Sequence, residues 1–283
     1  MVGKTRLIGS RRRLAAALLG LAGWAATAQA KEEPLLEVGV GVGAIAFEDY
    51  RGSDTTHGYP LPIGYLVYNG KFLTADREGI RGKLFNQDWV ELNLSGNATT
   101  PVRNDRIRSG MPELKSTLEL GPSIDFHLLR TADSHIRLDL RLPFRTAIEV
   151  EAPPRYIGWT LTPRLALDVT DPLGFAGWHA GILSGPLFAA RRYNDYFYSV
   201  AAAFATADRP AYQASGGYAG TQTILSLSKR FPKFWVGAYV RGDSLEGAAF
   251  DASPLVQRNS YWSGGFGIAW IFHTSTQRVE VPD

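Results

Sequence analysis

An all-β chain that crosses a membrane as an antiparallel up-and-down β-barrel is what this sequence predicts, on three observations. The first is long alternation. From Ile136 to Val150 the apolar positions are Ile136, Leu138, Leu140, Leu142, Phe144, Ile148 and Val150, with Thr146 the exception. Between them stand Arg137, Asp139, Arg141, Pro143, Arg145, Ala147 and Glu149. Strand side chains point alternately to opposite faces, so this is a ribbon with one greasy and one charged face. At about 3.3 Å per residue it reaches roughly 50 Å, whereas a membrane-crossing strand needs only about 9–11 tilted residues. The second observation is an export leader, and the third is that no later segment holds 18 consecutive apolar residues, so no membrane-spanning helix is expected.

The leader comes first in the chain. Lys4, Arg6, Arg11, Arg12 and Arg13 precede an apolar stretch from Leu14 to Ala26, and Ala28-Gln29-Ala30 fits a small-x-small cleavage site. Residues 1–30 read as a cleaved secretory signal and 31–283 as the barrel. Without the five leader cations, twenty-five basic residues face twenty-seven acidic ones, a net of −2 against the +3 of the full chain. The basic balance therefore belongs to the signal, and a nucleic-acid partner has no electrostatic support. With no cysteine there is neither a lipid-anchored cysteine nor a disulfide.

The strands follow in order. Leu36, Val38, Val40, Val42, Ala44 and Ala46 alternate with Glu37, Gly39, Gly41, Gly43, Ile45 and Phe47. Val90, Leu92 and Leu94 alternate with Glu91, Asn93 and Ser95. Leu118 to Leu128 alternates around Glu119, Ser123, Asp125 and His127, and Ile157 to Leu167 around Thr160, Thr162 and Arg164. Phe234, Val236, Ala238 and Val240 face away from Trp235, Tyr239 and Arg241. Weaker runs lie at 59–68, 71–85, 177–190 and 218–230. The final strand puts Trp262, Phe266, Ile268, Trp270 and Phe272 on one face, as an aromatic barrel-insertion signal would, with eleven residues beyond it. Trp89, Trp159, Trp178, Trp262 and Trp270 suit interfacial girdles.

Tyr68-Asn69-Gly70, Asp171-Pro172-Leu173-Gly174 and Arg230-Phe231-Pro232-Lys233 are turn chemistries. Segments 97–115, 191–217 and 242–259 read as long loops, with a turn of helix expected at Tyr198 to Ala207. About eleven candidate strands can be counted; both chain ends on the periplasmic side require an even number, and twelve is preferred to ten. An exported β-sandwich would alternate too, but its strands run about 5–6 residues.

For chemistry, the charged row offers Glu91, Asp125, Arg137, Asp139, Arg141, Arg145, Glu149 and Arg164 as lumen residues. They read as an ion-paired plug or as the lining of a pore. The plug is preferred, because long Arg and Glu chains leave little bore in a barrel of roughly 10–12 strands. Tyr193, Tyr196, Phe197 and Tyr198 are the best partner-contact candidates, since four aromatics in a short segment give rigid amphipathic area; an internal loop-packing cluster is the alternative. Tyr50 with Ser53 and Asp54 reads as a turn. No pattern calls for a catalytic residue, a metal or a cofactor. The five histidines have no metal-ligand spacing. Ser123 and His127 share a face but lie roughly 13 Å apart along a strand, too far for a nucleophile–base pair.

Several strings resemble the MipA/OmpV family of outer-membrane proteins. They are Asp49-Tyr50-Arg51-Gly52-Ser53-Asp54 with Pro60-Leu61-Pro62; Arg108-Ser109-Gly110-Met111-Pro112 leading to Leu118-Glu119-Leu120-Gly121-Pro122; and Gly185-Pro186-Leu187-Phe188 through Arg192-Tyr193-Asn194-Asp195-Tyr196-Phe197-Tyr198. Leu245-Glu246-Gly247-Ala248-Ala249 with Ser253-Pro254-Leu255-Val256 completes the set. Ser199 stands where the family often has Gly, Ala252 is inserted before Ser-Pro, and the C-terminal tail is extra. The resemblance implies an outer-membrane barrel among outer-membrane lipids. It also implies a non-enzymatic scaffold joining a lytic transglycosylase to a penicillin-binding protein. A narrow diffusion channel is the alternative function, and a lipid-modifying enzyme a third.

Overall fold

The computed structural model describes residues 31–281 apart from 71–72, 77–78, 88, 104, 132 and 134. The signal segment expected at 1–30 lies outside the described residues. The strands are β1 (Lys31–Pro34), β2 (Leu36–Glu48), β3 (Thr56–Asn69), β4 (Leu73–Asp76), β5 (Gly79–Gln87), β6 (Val90–Thr99), β7 (Thr117–Arg130) and β8 (Ile136–Glu149). They continue with β9 (Arg155–Leu161), β10 (Arg164–Thr170), β11 (Trp178–Ala189), β12 (Gly217–Arg230), β13 (Phe234–Ser244), β14 (Ser260–Thr274) and β15 (Arg278–Val281). One helix, α1, spans Arg191–Tyr198. The turn of helix expected at Tyr198 to Ala207 therefore lies upstream, with only a 3-10 turn at Ala202–Phe204 inside that window.

Thirteen strand segments form one antiparallel sheet that closes on itself. β8 pairs with both β9 and β10, and β11 pairs with both from the other side. β9 and β10 are thus halves of one strand interrupted at Thr162 and Pro163, and the described circuit has twelve strands. Pro163 cannot donate to a ladder. Its carbonyl presses instead on Gly185 of β11, where any Cβ would collide with it.

The sheet is inside-out relative to a soluble domain. Val42, Phe266 and Trp262 are 66%, 68% and 69% exposed, while Glu119, Asp139 and Asp243 are 3–4% exposed. Exposed single apolar residues mean little, but a continuous belt of them over buried charge needs an apolar solvent outside. β8 follows the expected alternation: Phe144 and Thr146 are exposed, and Asp139, Arg145, Ala147 and Glu149 are buried. Long connections at 100–116, 190–216 and 245–259 gather at one end; short turns and the paired termini β1 and β15 lie at the other. Outer-membrane barrels carry long loops outside and short turns in the periplasm, which orients the chain.

One seam is thin. Among the described residues β3 and β4 share only Tyr68↔Ala75 and Asn69↔Thr74. The ladder from β2 to β3 runs through Pro60 and Pro62 without a shift. Proline has no N–H, so an unbroken ladder requires both proline nitrogens to face the opposite edge. Two prolines on that edge suit a strand with little pairing there.

Candidate functional site: a plugged, charged lumen

The apolar core of this barrel is centred on its loops, with Ala147, Ile157, Ala189, Ala219 and Tyr261 joining it from the strand ends. It sits at the extracellular mouth, where Tyr50, Val102, Leu114, Phe197, Tyr198, Leu245 and Phe250 from four connections pack together. Tyr198 stacks on Phe250 with centroids 3.7 Å apart and planes 7° apart. Arginines staple the loops through carbonyls: Arg108 donates to Phe197 O at 2.9 Å, and Arg209 to Ile107 O at 2.6 Å and Ser109 O at 2.9 Å. Tyr50 donates to Leu255 O at 2.8 Å, and Ser53 to Asp105 at 3.0 Å, the structural work expected of that turn.

α1 turns inward at this mouth. Gly158 on β9 makes room for it: its φ is +135°, and a Cβ there would lie 2.8–3.1 Å from Tyr193 backbone and Cβ atoms. The Tyr193 hydroxyl donates to Glu119 at 2.9 Å, Tyr196 to Glu149 at 2.9 Å, and Tyr198 to the Arg51 carbonyl at 2.9 Å. Burial, the largest influence, raises all three phenol pKa values above the ordinary range, so the hydroxyls remain donors. Phe197 completes the group and is buried. The four aromatics singled out from the sequence therefore line the inside of the plug, while Arg191 and Arg192 face outward. Spacings of four residues, Tyr193 to Phe197 and Asn194 to Tyr198, were the helical signal available in the sequence.

Below the plug the lumen holds two adjoining cavities, about 820 Å3 in the extracellular half and about 1040 Å3 in the periplasmic half. Ile45, Asp125, Asp168 and Tyr239 border both. The periplasmic half has an apolar wall of Ile45, Leu61, Ile63 and Val67, facing charged strands.

Seven of the eight charges expected in the lumen border one or both cavities, in separate groups; Glu149 borders neither and is held by Arg155 and Tyr196. In the periplasmic half Asp139 lies 3.5 Å from both Arg137 and Arg141 and 2.9 Å from His127 Nδ1. Asp168 lies 3.3 and 3.6 Å from the same two arginines. Asp125 accepts from Asn93 at 3.0 Å and from Ser123; Glu91 is buried on β6. Higher up, Arg145 donates to Ser95 Oγ at 3.0 and 2.7 Å and lies 4.0 Å from Glu119. Glu149 pairs with Arg155 at 2.6 Å. Arg164 is different, with no hydrogen bond or ion pair to the described residues.

Three members of this upper group, Arg51, Arg241 and Asp243, were missed by sequence reasoning, the last because 242–259 read as a loop while β13 runs on to Ser244. Arg51 lies 2.9 Å from Asp243, which also binds Arg241 and accepts from Gln222 at 3.3 Å. Arg51 sits in a loop string read only as a turn, and its partner is 192 residues away. The alternation of β13 put Arg241 and Asp243 on one face, but nothing local linked them to Arg51.

Comparison with known proteins agrees with this architecture. The family model described as MltA-interacting protein MipA matches residues 40–272. Outer membrane protein OmpV of Vibrio cholerae is 25% identical over 245 residues, covering 82% of this chain and 85% of OmpV. Outer membrane protein Omp26La of Vibrio anguillarum is 26% identical over 245 residues, with the same coverage. Among solved structures, the outer membrane protein OprG of Pseudomonas aeruginosa is similar to 86% of this chain at 8% identity and a TM-score of 0.21. The family match spans β2 to β14, the whole wall of the barrel, and the chain belongs to the MipA/OmpV family of outer-membrane proteins.

Proposed function

We propose that this protein is a non-enzymatic outer-membrane anchor that holds a murein-hydrolysing lytic transglycosylase and a murein-synthesising penicillin-binding protein together. The observation that carries the reading is the plug. A mouth filled by a packed loop core with its own helix suits a barrel used to hold a position more than one used as a conduit. The family description, MltA-interacting protein, supports an enzyme partner of this kind.

In this reading the contact surface is the periplasmic rim, because murein enzymes work on that side. There β1 and β15 pair beneath the barrel through Lys31↔Val281 to Pro34↔Arg278. Arg230 of β12 reaches Glu37 of β2, which also accepts from Tyr65 at 3.1 Å. These contacts brace a platform to which the first and last described strands belong.

The test is affinity capture with tagged protein from detergent-solubilised envelope. Recovery of a lytic transglycosylase and a penicillin-binding protein is expected; recovery of neither removes the reading. Discrete conductance of the intact protein in planar bilayers would replace it with the narrow diffusion channel.

A further inference from the structure

We propose that the extracellular half of the lumen, around Arg164, is a binding site for a small multivalent oxyanion of the phosphate class, reached from the periplasmic side. Arg51, Arg141, Arg145, Arg164 and Arg241 border one cavity of about 820 Å3. The charges acting most strongly on Arg164 are those of Arg145, Arg241 and Arg51, all repulsive, and that of Asp243. Arg141 stands directly opposite Arg164 in the β8–β10 register. Like charges opposed across a sheet oppose folding.

The carboxylates nearby are engaged: of those that border the cavity, Asp168 pairs with Arg137 and Arg141, Asp125 accepts from Asn93 and Ser123, and Asp49 lies 2.9 Å from His57. Asp243 binds Arg51 and Arg241 and accepts from Gln222. Glu119 accepts from Thr160 at 3.0 Å and Tyr193 at 2.9 Å. Glu48 also borders the cavity, beside Arg241 and Arg258. Arg164 is left with free donors facing the cavity. A guanidinium presents a planar fork that matches phosphate oxygens, and low-dielectric walls focus the field of several such groups. Gln222 and Ser263 border the same space and add neutral hydrogen-bonding groups. Loops pack over the outer side, and on the inner side the cavity adjoins the larger periplasmic one, sharing Asp168 and Tyr239 with it, which gives the entry route of this proposal.

The experiment is calorimetric titration of inorganic pyrophosphate into the purified full chain in detergent, beside Arg164→Gln, Arg164→Lys and a loop-surface control, Arg103→Gln. Heat-modifiable migration checks that each variant is folded. Saturable one-to-one binding is expected, weakened at least tenfold by Arg164→Gln, partly restored in Arg164→Lys and unchanged in Arg103→Gln. Without ligand, Arg164→Gln should unfold at the same temperature as the parent or a higher one, because it relieves repulsion; a merely structural arginine would lower it. Absence of saturable binding to the parent, equal binding by Arg164→Gln, or a lowered unfolding temperature with unchanged binding would each overturn the proposal.

Discussion

In the periplasmic half of the lumen Asp139 sits among Arg137, Arg141 and His127, with Asp168 sharing both arginines. In the extracellular half five guanidinium groups, that of Arg141 included, border one cavity, Asp243 is shared by two of them, and a loop core packs over the top. Both halves shut charge inside a barrel. The lower half gives the arginines of β8 shared carboxylate partners and leaves a large space. The upper half packs aromatics at its entrance and keeps beneath them one guanidinium, that of Arg164, with no ion pair to the described residues. Plug and charge are therefore separate devices, and changes in each should have different signatures.

The largest effect should come from the plug core. Phe250→Ala removes the ring stacked on Tyr198 and should cost about 3–5 kcal/mol of stability. Denaturant unfolding checks the loss, and bilayer recordings should show intermittent conductance absent from the parent. An unchanged, silent barrel would mean that this core does not hold the plug.

Next comes a matched pair of neutralisations. Asp139→Asn takes one carboxylate charge from Arg137 and Arg141, and should cost about 3 kcal/mol, the low end for breaking a buried pair. Arg164→Gln in the other half should cost nothing or stabilise. Equal destabilisation by both would erase the proposed difference between the halves.

A smaller effect is expected at the contact between plug and wall. Tyr193→Phe keeps the ring but takes one donor from buried Glu119, for about 1–3 kcal/mol. It should also speed tryptic cleavage at exposed Arg191 and Arg192, followed by gel. Unaltered cleavage would indicate that Gly158 and the packing around it suffice to dock α1.

The smallest effect lies in the periplasmic turn. His135 bonds Asp133, the main cause of its raised pKa, and Asp171 lies 3.5 Å away. A raised folded-state pKa means that any stabilisation is full below the unfolded value and fades as pH rises through the folded one. NMR titration should find His135 above the ordinary value of about 6.5, and Asp133→Asn should bring it down. A His135 that titrates at the ordinary value in the parent would break this pairing.

Much of the wall was legible because alternation is local. The run seen at 136–150 is β8 at Ile136–Glu149, and the aromatic run ending at Phe272 is β14 at Ser260–Thr274. The interruption of β9 and β10 was harder to see, since Thr162 and Pro163 keep the alternation while breaking the ladder. The position of α1 was missed because its inward face is defined only by a barrel mouth that the sequence does not display.

By itself, then, the sequence determined which face of each strand meets lipid and which carries charge, because a period of two is set by backbone geometry at each residue. Partners were decided only when twelve strands wrapped into a closed circuit. Closure set Arg51 beside Asp243 across 192 residues, brought Tyr193 to Glu119, and left Arg164 among other arginines. Those pairings depend on register and curvature around the whole barrel, which no local pattern contains.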